Sequence, residues 1–312
     1  MSGIVNVLSA YKGLFAACAF VFGAATGSFL NVCIWRLPRG ESIVRPPSHC
    51  TSCNAPIRWW DNVPLASYLI LRGRCRACGA PFSARYLLIE ALTACAFALI
   101  AWRGGPDPVI LPRLALAAAL IVVTFVDIDH RIIPDQISVW GLPFAVAAAV
   151  LLPGLQLSLS PFTLFIPNVR LAALASSVAG LIVGGGLLWG LAVVFERLVL
   201  SRRKPPAAGS RPGWEEELDE ETGGKVAMGG GDIKLLALVG AALGWQGALL
   251  AVMLGSLLGS AVGIVRWTLV KGKYLPFGPF ISAGAFVAAV WGRDILVWYL
   301  GLATAGAGGG YG

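Results

Sequence analysis

What most limits the fold of this chain is a series of apolar stretches that recurs from one end to the other, at residues 13–35, 86–102, 109–126, 136–153, 171–196, 232–244, 247–268 and 279–300. A helix needs about 20 apolar residues to cross a hydrocarbon core of about 30 Å. Most of these stretches have that length, and the sixth is short and starts on glycines. The spacing therefore predicts an all-α polytopic membrane protein of about eight transmembrane helices. Composition agrees: of 312 residues, 57% are hydrophobic and 13% charged, against about 25% charged in ordinary soluble domains. That balance does not fit a soluble enzyme. The 39 glycines sit inside apolar runs without a G-x-y period, so neither a collagen nor a disordered tract is expected. The first stretch runs into Arg36 without a small-residue cleavage site and is expected to remain as a membrane span.

The polar segments set the orientation. Residues 36–85 carry Arg36, Arg39, Arg45, Arg58, Arg72, Arg74, Arg76 and Arg85 against only Glu41 and Asp61, so the positive-inside rule makes this loop cytoplasmic. Alternation puts 127–135, 197–231 and 269–278 on the same side, which with Lys234 and Arg266 at the adjoining stretch ends gathers nineteen of the 24 Lys and Arg residues there. The five left over are Lys12, Arg103, Arg113, Arg170 and Arg293, and both termini are expected outside the cytoplasm. The net charge of +8 thus reads as topology in a lipid bilayer and not as nucleic-acid binding. A basic patch that also holds anionic lipid is compatible with this. Residues 201–227, with Pro, Gly, Ser and an acidic run from Glu215 to Glu221, are expected to form a flexible cytoplasmic linker with a solvated acidic face.

Three of the seven cysteines, Cys18, Cys33 and Cys95, lie in apolar stretches and read as small hydrophobes. The other four read Cys50-x2-Cys53 and, after 21 intervening residues, Cys75-x2-Cys78. Two such knuckles have the spacing of a four-cysteine zinc site, in which thiolates fill a tetrahedral shell. Two disulfides are the competing reading, but a cytoplasmic loop keeps its thiols reduced and free for metal. With every position filled by sulfur, the Zn2+ would be structural. The chain is therefore expected to divide into a first transmembrane helix at 1–35, a small zinc-ribbon-like cytoplasmic loop domain at 36–85, and a transmembrane domain at 86–312.

Charged groups at membrane depth are costly and mark function by default. The third stretch ends Asp127-Ile128-Asp129-His130-Arg131-Ile132-Ile133-Pro134-Asp135, and the sixth begins Gly229-Gly230-Gly231-Asp232-Ile233-Lys234. The orientation drawn from Lys and Arg alone puts Asp127 and Asp232 at similar depth on the cytoplasmic side. Two carboxylates sharing a site cannot both ionise cheaply, so one acts as base toward a water and the other as acid, the chemistry of aspartic proteases. Three glycines before Asp232 allow backbone or an extended peptide to approach closely. The plainer alternative is that Asp232 caps a helix and Asp127 pairs with Arg131 or Lys234. His130 reads as a surface histidine at a helix end.

At this point the chain resembles the type 4 prepilin leader peptidases, bifunctional membrane aspartic peptidases of pilus and type II secretion systems. The residues that carry the resemblance span nearly the whole chain. They are Gly27-Ser28-Phe29-Leu30-Asn31-Val32 with Arg36-Leu37-Pro38, the four cysteines, Asn62-Val63-Pro64-Leu65 with Ser67-Tyr68, and Arg85-Tyr86 with Glu90. Further along come Asp127-x-Asp129-His130 with Ile133-Pro134-Asp135, Gly229-x-Gly231-Asp232-x-Lys234, and Pro276-Phe277-Gly278-Pro279. The resemblance implies a catalytic pair at Asp127 and Asp232, with Asp129 and Asp135 as supporting acids. It implies cleavage of a short basic leader from type IV prepilins and pseudopilins at the cytoplasmic face of the bacterial inner membrane. It further implies methylation of the new N-terminal amine with S-adenosylmethionine, an activity associated with the four-cysteine loop, where Gly73 matches a position tied to methyl transfer. The linker at 201–227 departs from the family in being longer and more acidic. Two readings from other classes stay open on the residues alone: a zinc-stapled transporter whose acids carry protons or cations, and metal-dependent phosphotransfer through the D-x-D run.

Overall fold

The computed structural model describes residues 2–159, 161–200, 229–270 and 276–307, and the linker at 201–227 lies outside them. Helix α1 (Ser2–Arg36) is followed by a long polar loop that holds two single 3₁₀ turns, Leu37–Arg39 and Trp59–Asn62, and the short helix α2 (Ala66–Ile70). Helices α3 (Arg85–Gly104) and α4 (Ile110–His130) return across the bundle, and α3 lies along α1. Glycine makes that pairing close. A Cβ at Gly23 would come within 2.8 Å of the Ala94 backbone, and one at Gly27 within 2.7 Å of the Glu90 backbone. Small residues let membrane helices pack backbone to backbone in this way.

After α4 come α5 (Asp135–Ser138), α6 (Gly141–Leu151), α7 (Phe162–Phe165) and α8 (Val169–Phe195). Helices α9 (Gly230–Leu243), α10 (Trp245–Val270) and α11 (Gly278–Ala307) complete the described chain. Seven of the eight apolar stretches each fall on one helix and the fourth, 136–153, is divided between α5 and α6; among the described residues six helices are long and apolar enough to cross a membrane. The exceptions are α6, with 11 residues, and α9, with 14. At 1.5 Å per residue they span only about 16 and 21 Å.

The shortness of α9 has a physical basis in its surroundings. Every residue from Leu235 to Leu243 is buried, and α6, α8, α10 and α11 all pack against the helix. It is the centre of the bundle, and its C-terminal end meets protein instead of water. Its last carbonyls, which have no partner within the helix, are met by side chains. Gln156 Nε2 donates to the carbonyls of Ala241 and Ala242 at 3.3 and 3.0 Å, and Ser177 Oγ donates to Ala241 at 2.6 Å. The Leu157 amide donates to the Leu243 carbonyl at 3.1 Å. Irregular backbone at membrane depth is tolerated where protein satisfies it in this way.

Candidate functional site

Asp127 lies in the last turn of α4. The helix stops at Arg131, whose left-handed backbone (φ 56°) directs its amide to the Asp127 carbonyl, and Pro134 leads the chain into α5. Asp232 stands in the first turn of α9. Its carboxylate lies close enough to Asp127 for the two charges to repel each other. Asp127 is 6% exposed, and its Oδ2 accepts the amide of Gly278 at the start of α11, at 3.0 Å. A side chain at Gly278 would displace the carboxylate, because a Cβ there would lie 2.6 Å from Asp127 Oδ2. Three segments distant in sequence thus converge on one buried carboxylate.

The other acids ring this pair without joining it. Asp129 is two residues beyond Asp127 and so about 200° around the helix. Its Oδ1 accepts from Arg85 at 2.7 Å, and the same guanidinium donates to the Phe125 carbonyl at 3.1 Å, which pins α3 to the end of α4. Asp135 accepts from Lys234 at 2.8 Å and ties α5 to the first turn of α9. Both partners of that pair are about half exposed, so its energetic contribution is small and its effect is registration. His130 is exposed at the helix end.

The glycines before Asp232 divide into two roles. A Cβ at Gly231 would fall 2.9 Å from Ile133 Cβ, so that position is bare to let the 131–134 turn close on α9. At Gly229 a Cβ would make only an ordinary 3.8 Å contact with Asp232 Oδ2, and at Gly230 it would meet nothing within 4 Å. Close packing therefore requires glycine at one of the three positions, and the other two leave open space beside the carboxylate.

The four-cysteine loop is built as two copies of one turn. In the first, the Cys50 amide donates to the Ala55 carbonyl at 2.9 Å and the Asn54 amide to the Cys50 carbonyl at 2.9 Å. In the second, Cys75 bonds Ala80 at 2.8 Å and Gly79 bonds Cys75 at 2.9 Å. Asn54 and Gly79 are both left-handed. Each turn presents its two thiols inward, and the four sulfurs lie within 4.8 Å of one another, with Cys50 and Cys78 at 3.9 Å. A tetrahedral ion with metal–sulfur bonds of about 2.3 Å places its sulfurs about 3.8 Å apart, so the cluster can hold a metal ion. The amides of Ser52 and Cys53 pull the Cys50 thiol down to about 6, which favours the thiolate that metal binding needs.

Gly73 sits between α2 and the second knuckle with φ 66°, and a Cβ there would lie 2.9 Å from the Tyr68 ring. Fold alone is a sufficient reason for glycine at that position. Several polar groups whose placement the motifs do not reveal fix the loop to the membrane helices. Glu90 of α3 accepts the Leu65 amide at 2.7 Å. Arg36, buried at the end of α1, donates to the carbonyls of Ser42 and Pro46 at 2.8 and 2.7 Å. Within the loop, Arg76 grips Asp61 through two guanidinium nitrogens, and that guanidinium holds the Asp61 carboxyl below the usual carboxylate range.

A helical membrane bundle that gathers aspartates at one end, with a thiol cluster in the loop beside them, defines the class of protein. Comparison with known proteins then defines the family. The Bacterial Peptidase A24 N-terminal domain model matches residues 21–104, and the Type IV leader peptidase family model matches residues 114–264. A prepilin leader peptidase/N-methyltransferase of Aeromonas hydrophila is 34% identical over 96% of this chain and 99% of its own. One of Neisseria gonorrhoeae is 32% identical over 91% of this chain and 92% of its own, and one of Myxococcus xanthus is 37% identical over 83% and 65%. The chain belongs to the prepilin leader peptidase/N-methyltransferase family. No solved structure gives a significant match.

Proposed function

We propose that this protein is a membrane aspartic endopeptidase that removes the leader of type IV prepilins or pseudopilins and N-methylates the residue it exposes. The observation that supports the peptidase reading best is that the end of α4 and the start of α9 bring Asp127 and Asp232 near enough for their charges to interact. In the reaction one aspartate takes a proton from a water, whose oxygen attacks the scissile carbonyl carbon. The second aspartate gives its proton to the carbonyl oxygen; the first then passes the water's proton to the amine nitrogen as the C–N bond breaks, and the second regains a proton from the collapsing gem-diol. The Gly278 amide holds Asp127 in place for this, and the open space at Gly229 and Gly230 suits an extended substrate backbone beside Asp232. Asp129 and Asp135 serve as positioning residues through Arg85 and Lys234.

The loop at 36–85 is the methyl-transfer unit, between the first transmembrane helix at 1–35 and the peptidase domain at 86–312. Its cysteines Cys50, Cys53, Cys75 and Cys78 fit Zn2+, which in an all-sulfur shell would staple the loop and leave no open position for chemistry. S-adenosylmethionine supplies the methyl group to the new N-terminal amine. Gly73 contributes to that step by fixing the turn that carries the second knuckle. The positive-inside distribution supports a cytoplasmic orientation of loop and aspartates, and kinship with the prepilin leader peptidases supports a location in the bacterial inner membrane. Phosphotransfer through the D-x-D run finds no support: Asp127 and Asp129 face different sides of α4, and among the described residues the membrane acids do not gather into a metal-ligating group of three.

The test is intact mass of a prepilin co-expressed with the wild-type protein, with Asp232→Asn or with Cys75→Ser. Loss of the leader plus one methyl group is expected with the wild type, no processing with the first variant, and cleavage without methylation with the second. Unprocessed prepilin in every case, with expression verified, would contradict the reading.

A further inference from the structure

At the end of the bundle opposite Asp127 and Asp232, a cleft of about 230 Å³ opens between the end of α3, the start of α4, the turn at Gly154 and the middle of α11. Its walls include Asp107, Arg113, Gly154 and Arg293. Two arginines share it, and they are close enough for their charges to repel. Among the described residues neither has a carboxylate within ion-pairing distance. The nearby Arg103 is already neutralised by Asp294. Arg113 Nε is buried with no hydrogen-bond partner, and the one bond of its guanidinium is a long 3.5 Å contact to the Gly154 carbonyl. Asp107 is committed to the Val109 amide at 2.8 Å, where it caps the entry to α4.

A buried, unpartnered guanidinium donor is costly, and two guanidinium groups facing a cleft whose lining offers one carboxylate, Asp107, which attracts Arg113 without pairing directly with it, leave one positive charge uncompensated. Both costs disappear if an anion with several acceptor oxygens fills the cleft, since arginine binds phosphate through parallel N–H···O bonds. With Asp107 counted, the cleft carries one net positive charge, which matches a phosphodiester monoanion better than a dianion. The positive-inside orientation expected from the sequence counts these arginines among the five basic residues of the extracytoplasmic side, and Arg113 stands near the start of the membrane-length helix α4, the depth at which lipid headgroups are met. We propose that Arg113 and Arg293 form a binding site for a phosphate group, supplied by the headgroup of an anionic phospholipid of the outer-facing leaflet. The site is separate from the aspartate pair and from the cysteine loop, and its occupant locks α3, α4 and α11 together at that end of the bundle.

The experiment uses the full chain in detergent, with native mass spectrometry and thermal unfolding as readouts. The probes are phosphatidylglycerol, phosphatidylcholine and inorganic phosphate, each added to the wild type, Arg113→Gln and Arg293→Gln. Arg293 is exposed, so its variant keeps the test valid if Arg113→Gln fails to fold. Phosphatidylglycerol should bind and raise the unfolding temperature of the wild type, and each variant should bind it about tenfold more weakly, the size expected for losing one charge-assisted hydrogen bond. Phosphatidylcholine should bind more weakly than phosphatidylglycerol. If inorganic phosphate stabilises with the same arginine dependence and the lipids do not, the phosphate site stands and the lipid source is overturned. Equal binding of every probe by the wild type and both variants would overturn the site itself.

Discussion

Gly278→Ala isolates the contact between α11 and the buried aspartate. The new methyl would start 2.6 Å from Asp127 Oδ2, and ordinary contact begins near 3.4 Å, so carboxylate and backbone must separate by most of an ångström. That movement breaks the 3.0 Å bond from the Gly278 amide to Oδ2. A hydrogen bond to a charged group contributes about 1.5–3 kcal/mol, which is about 10- to 100-fold in rate if the loss falls on the transition state. Displacement of a reacting group by about 1 Å has an effect of about 100-fold. Cleavage of a synthetic prepilin segment by the purified variant should therefore fall about 100-fold in kcat/KM, with methylation of a pre-cleaved segment unchanged. Gly186→Ala is the control, since a Cβ there meets nothing within 4 Å and should leave both activities within twofold of wild type. A Gly278→Ala protein that folds normally and cleaves within threefold of wild type would refute the role given to this contact.

Other expectations concern the surrounding braces. Arg85→Gln removes a pair whose side chains are about one-third exposed, so cleavage should drop only a few-fold, consistent with about 1 kcal/mol for such a pair; loss of all activity in steady-state assays would contradict a positioning role. Cys75→Ser should reduce bound zinc from one equivalent to none by elemental analysis and expose the loop to protease, and retained metal would argue against a four-sulfur site. Gly73→Ala places a Cβ against the Tyr68 ring in a left-handed backbone and should destabilise the loop by about 1–2 kcal/mol, read as faster limited proteolysis within 36–85. Because Arg76 depresses the Asp61 carboxyl, their pairing is complete above the unfolded carboxylate value of about 4 and fades as pH falls below it. Protease resistance of the loop should then be the same at pH 8 and pH 5 in the wild type, and a fall within that range absent from Asp61→Asn would contradict the pairing.

The membrane helices were legible because apolar length is a direct consequence of bilayer thickness, and each predicted stretch lies within a few residues of an observed helix. The residues of α9 read as a short span with glycines at its start. What sequence does not disclose is that α9 is internal, because its neighbours and the Gln156 and Ser177 side chains that meet its carbonyls come from other parts of the chain. The cysteine knuckles were legible for a local reason: each turn is closed by hydrogen bonds within six residues. Charge bias alone gave the expectation that Asp127 and Asp232 share one side and a similar depth. By contrast, the Gly278 bond to Asp127, the Arg85 bond to Asp129 and the Glu90 bond to Leu65 join residues 151, 44 and 25 positions apart. Such contacts leave no periodicity or spacing to read. The glycines of Gly229-Gly230-Gly231 look equivalent in sequence, and only the position of Ile133 distinguishes Gly231 from the other two.

Whether Asp127 and Asp232 act on the scissile bond as one unit is decided by the single and double asparagine variants. Leader cleavage by purified Asp127→Asn, Asp232→Asn and the double variant should fall at least about 1000-fold in each case, with the double variant no slower than either single one, as expected for groups that act together. Folding is monitored independently through methylation of a pre-cleaved substrate. Cleavage at or near the wild-type rate by either single variant, with methylation intact, would rule out paired action of the two aspartates.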